Sequence, residues 1–334
     1  MHGHGAKVVD GSAHSIPDAM AMKSWILSFN AHRALFLATL SSFSAAVLVF
    51  AMPSGVGAQQ SFRTAEEAVD ALVNAVRTSD RKDILNVLGP ASADIISSGD
   101  EAVDAATRQH FVTAYDVKHR VTMDDGNKAI VVVGQEDFPF PIPLIRKHGM
   151  WRFDAAAGRL ELLYRRIGRN ELNTIQVCFA YLDAQKEYAR EDRTGAGPGI
   201  YAQRTISQPG KKDGLYWPNL QEDGAARFGE MVSQATGDDY HAVHGYYHRV
   251  LTKQGPAAPG GARDYIVRGK MIGGFALVAY PAEYKTSGVM TFLVNQTGRL
   301  FQKDLGPRTT ELAERMTSFN PDQTWKKVDT AELP

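Results

Sequence analysis

Three histidines stand close together in the stretch HAVHGYYH: His241, His244 and His248. Imidazole is a common metal ligand, and on a helix residues four apart lie about 6 Å from each other and can share an ion. Here Gly245, Tyr246 and Tyr247 lead into Val250, which favours a strand. In a strand four residues span about 13 Å, too far for one ion, and His241 would face away from His244. The reading is a surface histidine cluster beside a strand, with no metal and no cofactor.

Arg165, Arg166 and Arg169 precede a helical pattern. Helix N-termini favour anions, and arginine grips phosphate or carboxylate bidentately, so a small anionic ligand is one reading. The other is that these arginines pair with acidic side chains and clamp two domains together; domain boundaries are often polar, which favours it. The stretch PGKKDGLYWP (209–218) combines Lys211, Asp213, Tyr216 and Trp217 between turn-formers. Charged and aromatic residues on a loop suit recognition of a partner. Pro209, Gly210, Gly214 and Pro218 equally suit a shaped turn with Tyr216 and Trp217 packing inward, and both readings stand.

Other chemistry is excluded by motif. QGPAAPGG (254–261) has no phosphate-binding signature, and Lys270 is followed by Met271, not Ser or Thr. GKMIGG runs into a strand-like segment where a dinucleotide fingerprint needs a helix. There is no G-x-S-x-G elbow and no H-E-x-x-H. Cys178, the single cysteine, sits beside an apolar helical stripe and reads as a buried, inert thiol. Acidic residues are scattered, so no acid–base pair and no catalytic residue is named.

The elements that would position these residues fall into two groups. The 334 residues carry 37 basic and 37 acidic side chains, so no global field draws in nucleic acid. Residues 34–51 form an uncharged apolar run, preceded by Lys23 and Arg33 and followed by Val56, Gly57 and Ala58. That is the layout of a secretory signal peptide, with cleavage expected after Ala58 and Met22 as an alternative start. The run is long for a leader, and an uncleaved membrane anchor is the competing reading. With one cysteine there is no internal disulfide.

After the leader, Thr64 and Glu67 form a capping box before Ala68, Leu72, Val73 and Val76. Asp80 caps a second helix that Gly89 and Pro90 stop, and a third covers about residues 104–119. The period then changes to two. Residues 121–124 and 128–134 read as a hairpin, followed by FPFPIPLI (138–145) and MWRFD (150–154). Alternating Pro139, Pro141 and Pro143 remove donors from one edge only, so FPFPIPLI is expected as one edge strand. Phe138, Phe140, Ile142 and Leu144 would face the core. A second group opens with a helix over 170–189, Asn170 as cap and Leu172, Ile175, Phe179 and Leu182 as stripe, then strands near 246–251, 264–269, 274–281, 288–295 and 299–306. The fold class is α+β in two domains: 59–162, helices then a curled antiparallel sheet, and 163–334, one long helix on an antiparallel meander.

The first half resembles the nuclear-transport-factor-like fold and the second the head of type IV pilins and pseudopilins. The second differs from pilins in that the segment before its helix, RRIGRNE (165–171), is highly charged. Nearly the whole chain after the leader resembles the bacterial domain-of-unknown-function family 2950. The resemblance is carried by SSGD (97–100), FPFPIPL (138–144), WRFD (151–154), RRIGRNE (165–171), AQKEYA (184–189), PGKKDGLYWP (209–218), HGYYHRVL (244–251), QGPAAPGG (254–261), GKMIGGFALVAYPAEY (269–284), GVMTF (288–292) and QKDLG (302–306). It implies a secreted or periplasmic bacterial protein and supplies no functional residues.

The functional expectation is a non-enzymatic envelope protein that binds a partner protein or small ligand, with no nucleic acid and no stable membrane insertion once the leader is removed. Two alternatives stand beside it: a hydrolase using a cavity in the first domain's curled sheet, and a pilus or secretion accessory.

Overall fold

The structure is a computed structural model that describes residues 59–216 and 242–329. The leader, Trp217, Pro218 and His241 lie outside the described residues. The chain divides into two compact units, with described residues up to Glu161 in the first and from Leu162 in the second. Among the described residues no helix is long and apolar enough to cross a membrane.

The first unit opens with three helices, α1 (Ala65–Thr78), α2 (Arg81–Leu88) and α3 (Glu101–Val117). Thr64 Oγ1 accepts the Glu67 N–H at 3.0 Å, and the Glu67 carboxylate reaches back to the N–H of Arg63 at 3.0 Å, satisfying two donors that the first turn leaves open. Asp80 caps α2. Asp100 caps α3, which starts three residues before the expected position. The apolar face of α1 (Leu72, Val73, Val76) packs with Ile84 and Leu88 of α2 on Leu144, Trp151 and Phe153.

Those last three belong to an antiparallel sheet of β1 (His119–Asp125), β2 (Lys128–Val133), β3 (Phe138–Pro139), β4 (Leu144–Lys147) and β5 (Met150–Phe153). The order is β1-β2-β4-β5, with β3 also on β2. FPFPIPLI is therefore not one edge strand. Pro139 pairs with Val132 and Leu144 with Ala129, so five steps along this segment match three along β2. The surplus arches out at 140–143, where alternating prolines supply no donors to a ladder. The Phe140 N–H still bonds Val131 O at 2.7 Å, and β4 is flanked on both sides, by β2 and β5. The face assignment holds in part. Ile142 and Leu144 are buried, and Phe140 packs on Phe111 with ring centroids 5.0 Å apart, while Phe138 is half-buried. Ile142 seats where Gly158 lacks a side chain; a Cβ there would lie 2.7 Å from Ile142 Cγ1.

The long helix, α4 (Ala155–Arg190), has 36 residues, not the 20 expected. It starts directly after β5, where Asp154 accepts the Ala157 N–H at 3.0 Å, so Asn170 is no cap. The second unit continues with β6 (Arg204–Ile206) and β7 (Gly214–Tyr216), a parallel pair. Its main sheet is antiparallel, ordered β17-β15-β14-β13-β8: β8 (Tyr246–Leu251), β13 (Ala276–Pro281), β14 (Met290–Asn295), β15 (Leu300–Asp304) and β17 (Lys326–Lys327). Three short pieces, β9 (Lys253–Gln254), β10 (Arg263–Asp264) and β16 (Ser318–Phe319), form a second sheet, and β11 (Ile266–Val267) and β12 (Lys270–Met271) a hairpin. A short helix, α5 (Thr309–Glu314), lies against β13. The architecture is α+β in both units.

Candidate functional site

The most buried row of α4 in the second unit is Ile167, Glu171, Thr174, Cys178, Tyr181, Gln185 and Tyr188, spaced alternately four and three apart. The expected apolar stripe runs beside it: Ile175 and Leu182 are buried, Leu172 and Phe179 only partly. Buried polar groups require partners; Glu171, Tyr181, Gln185 and Tyr188 find theirs outside the helix, while the Thr174 hydroxyl has none among the described residues. The Tyr188 hydroxyl donates to Lys212 O at 2.6 Å. Gln185 exchanges both amide bonds with the backbone of Ala202, at 2.8 and 2.9 Å. The Tyr181 hydroxyl meets Ala276 O at 3.3 Å.

Glu171 makes the densest of these contacts. Its Oε1 accepts the N–H groups of Val289 and Met290, each at 2.9 Å, and lies 3.4 Å from the Tyr246 hydroxyl. The same hydroxyl donates to Met290 O at 3.0 Å. Next to it, Asn170 donates to Ser287 O at 2.8 Å. Glu171 is 2% exposed, and burial pushes its carboxyl above the usual range against the lowering effect of those donors. The Tyr246 hydroxyl is raised well above its ordinary value by burial and by Glu171.

Glycine makes this packing possible at two points. A Cβ on Gly288 would overlap the Tyr246 hydroxyl. Gly245 sits at φ +75, and a Cβ there would meet Ser287 Cβ at 2.8 Å and Asn170 Nδ2 at 2.9 Å. Four stretches that the sequence reading singled out, RRIGRNE, HGYYHRVL, the end of GKMIGGFALVAYPAEY and GVMTF, thus meet at one place.

Above the clamp stands the loop 282–289. The Ser287 N–H bonds Glu283 O at 2.9 Å, the Lys285 N–H bonds Gly288 O at 2.8 Å, and the Ser287 hydroxyl accepts the Glu283 N–H at 3.0 Å. Tyr284 reaches Asp304 Oδ2 at 3.2 Å; burial and that carboxylate push its hydroxyl up to about 12. Glu283, Lys285 and Thr286 point into solvent. The site is a hydrogen-bonded surface loop whose backbone is held from beneath by a buried carboxyl.

The sequence-predicted residues lie elsewhere or serve otherwise. Arg165, Arg166 and Arg169 are in the middle of α4, where the helix uses its own N–H groups, so the helix-terminus argument for an anion fails. Arg166 and Arg169 are exposed and Arg165 half-buried. Asp213 is engaged in its own loop: it accepts the Gln208 N–H at 2.8 Å and faces Arg204 Nε at 3.8 Å. Lys211 is exposed and donates to Gln208 at 2.7 Å; Tyr216 is half-buried in β7. His244 forms a turn with Gly245, and burial holds the His248 imidazole neutral, pushing it down to about 4. Among the described residues no group of His, Cys, Asp or Glu is arranged for a metal. QGPAAPGG is a wired loop: Gln254 Nε2 donates to Pro259 O and Gly261 O at 3.0 and 2.8 Å, and Asn320 Oδ1 accepts the Ala257 N–H at 2.8 Å.

Fold and site together define a two-unit α+β protein in which a helix of buried polar side chains pins loops. A family model matches residues 59–328, and the chain belongs to that family, described as protein of unknown function (DUF2950). No curated protein and no solved structure matches the chain.

Proposed function

We propose that this is an exported protein of the cell envelope that acts by binding, with the loop 283–287 as its recognition element. The observation that carries the reading is the Glu171 clamp. A carboxyl is taken out of water to fix the backbone of an exposed loop, and a loop ordered in advance loses less entropy on binding. Export is supported by the apolar run 34–51 with its basic flank and small-residue site. The hydrolase alternative placed a cavity inside the first unit's curled sheet; the inner face there is filled by Phe140, Ile142, Trp151 and Phe153, which supports binding over hydrolysis. The partner is an envelope protein or a small ligand that reads Glu283, Tyr284 and Lys285.

The test is cross-linking in the native envelope with Tyr284→Ala and Lys285→Glu, beside Lys211→Glu on the 209–216 stretch. Loss of the cross-linked partner in the loop variants alone is the expected result. Loss only in Lys211→Glu moves recognition to the other surface, and no loss in any of them removes the binding reading. N-terminal sequencing of the envelope-fraction protein should begin at Gln59; an intact leader on a cytoplasmic protein overturns export.

A further inference from the structure

In the first unit's sheet the longest strand, β1, has an outer edge with no strand partner among the described residues; the two-residue β3 likewise pairs with β2 alone. β1 pairs only with β2, and six of its seven residues are exposed, Val121 alone being half-buried. At the other end of the sheet, β5 is covered by Phe62, which exchanges bonds of 2.8 and 2.7 Å with Trp151. A long uncovered edge is a template for another strand.

The direction of the free backbone groups can be read from the ladder. The Gly134 N–H bonds Lys118 O at 2.8 Å, and the register continues through Arg120↔Val132 and Thr122↔Ile130. Backbone groups alternate along a strand, so those of Arg120 and Thr122 face β2, while those of His119, Val121 and Met123 face outward. The Phe140 N–H bonding Val131 O at 2.7 Å, on the far side of β2, fits the same alternation.

We infer that β1 pairs antiparallel with β1 of a second copy of this chain, on a two-fold axis through Thr122. The stretch RVTMD (120–124) is self-complementary in that register. Arg120 stands opposite Asp124 and Val121 opposite Met123, the pair that supplies the outward N–H and C=O groups. The register shift after Met123 takes Asp125 out of the alternation, and His119 stays stacked on Tyr115. Shifting by one register step either way sets Thr122 against Asp124, or Arg120 against Thr122, and leaves the charges unpaired. Met123, 51% exposed, shares the core-facing side with Val121 and would be covered by its symmetry mate. Arg120 now contacts Thr122 and Asp137, and Asp124 contacts Lys128, all as exposed pairs that are weak and readily exchanged. A symmetric contact of one edge on itself closes as a dimer and propagates no further.

Sedimentation of the purified protein tests this. A dimer that dissociates on dilution is expected, as suits a small interface, and a monomer at about 100 µM overturns the proposal. Arg120→Asp, which sets like charges opposite each other twice, and Thr122→Lys, which sets a charge against its own copy, should each weaken dimerisation by about tenfold or more. Combining Arg120→Asp with Asp124→Arg should restore it. Thr122→Cys should give a disulfide-linked dimer on mild oxidation, and Lys147→Cys, on the β4–β5 turn, should not. A dimer unaffected by Arg120→Asp and Thr122→Lys, or an uncross-linked Thr122→Cys, places the interface elsewhere. The recognition loop lies in the second unit, so its variants leave this assay unchanged.

Discussion

Glu171 separates two opposing effects in one side chain. Burial disfavours the carboxylate, and two N–H donors with a hydroxyl favour it. Burial is the larger, so the folded-state value lies above the unfolded one and the native state binds the extra proton. The stability this group contributes is then full below the unfolded value and declines as pH rises through the folded one. Glu171→Gln keeps an acceptor for Val289 and Met290 and cannot ionise. Thermal unfolding should therefore show wild type losing ground to Glu171→Gln as pH rises above the ordinary glutamate range. The opposite trend would mean that the donors outweigh burial. Glu171→Ala leaves the half-buried N–H groups of Val289 and Met290 without an acceptor and should destabilise by about 2–4 kcal/mol, from roughly 1–2 kcal/mol per orphaned group plus lost packing. Cys178, fully buried with its thiol pushed up to about 12, should react with thiol reagents only after unfolding; labelling of the native protein would contradict its placement.

Elements were legible where local chemistry decides them. The Thr64 and Asp80 caps, the hairpin turn before β2 and the strands β8, β13, β14 and β15 of the main sheet follow from short-range signals. β17 was not expected, and the strand expected over 264–269 is split between β10 and β11 outside that sheet. Two elements were misread for identifiable reasons. Residues 155–169 lack a broad apolar stripe and contain Gly158 and Gly168, yet alanine, leucine, glutamate and arginine are strong helix formers, and Asp154 supplies the cap. FPFPIPLI carried the right alternation, but alternation cannot reveal that β2 binds it at two separated points. The Glu171 site does not show as an apolar stripe on α4, because polar residues occupy most of the buried row. Spacing of four and three through Glu171, Thr174, Cys178, Tyr181 and Gln185 was the signal available. At this scale the test is Gly288→Ala. The added methyl displaces the Tyr246 hydroxyl and disturbs the loop–helix clamp, so destabilisation of about 1–3 kcal/mol is expected. Gly306→Ala is one control. It carries the backbone cost of a left-handed residue, which Gly288 does not, and has no neighbour within 4 Å of the new methyl. Gly126→Ala, at ordinary φ and equally open, is the matched control, and both should leave the exchange protection of the Val289 and Met290 amides intact where Gly288→Ala lowers it.

For the whole molecule, the division into two units with a separate core in the first has an energetic consequence. Leu72, 2% exposed, lies in the first unit's core, and Phe292, fully buried, in the main sheet of the second. Leu72→Ala should remove about 2–5 kcal/mol and Phe292→Ala about 3–5 kcal/mol, each from its own unit. Where two units unfold with limited coupling, calorimetry resolves two transitions, and each substitution lowers one midpoint while leaving the other in place. The boundary falls inside α4, so the first unit holds only the opening turns of that helix and the second holds the polar row. Leu72→Ala should therefore leave the second transition, and with it the protection of the Val289 and Met290 amides by Glu171, unchanged. A single transition lowered by both substitutions would show that the units unfold as one cooperative body and that the loop clamp draws on the first unit's core.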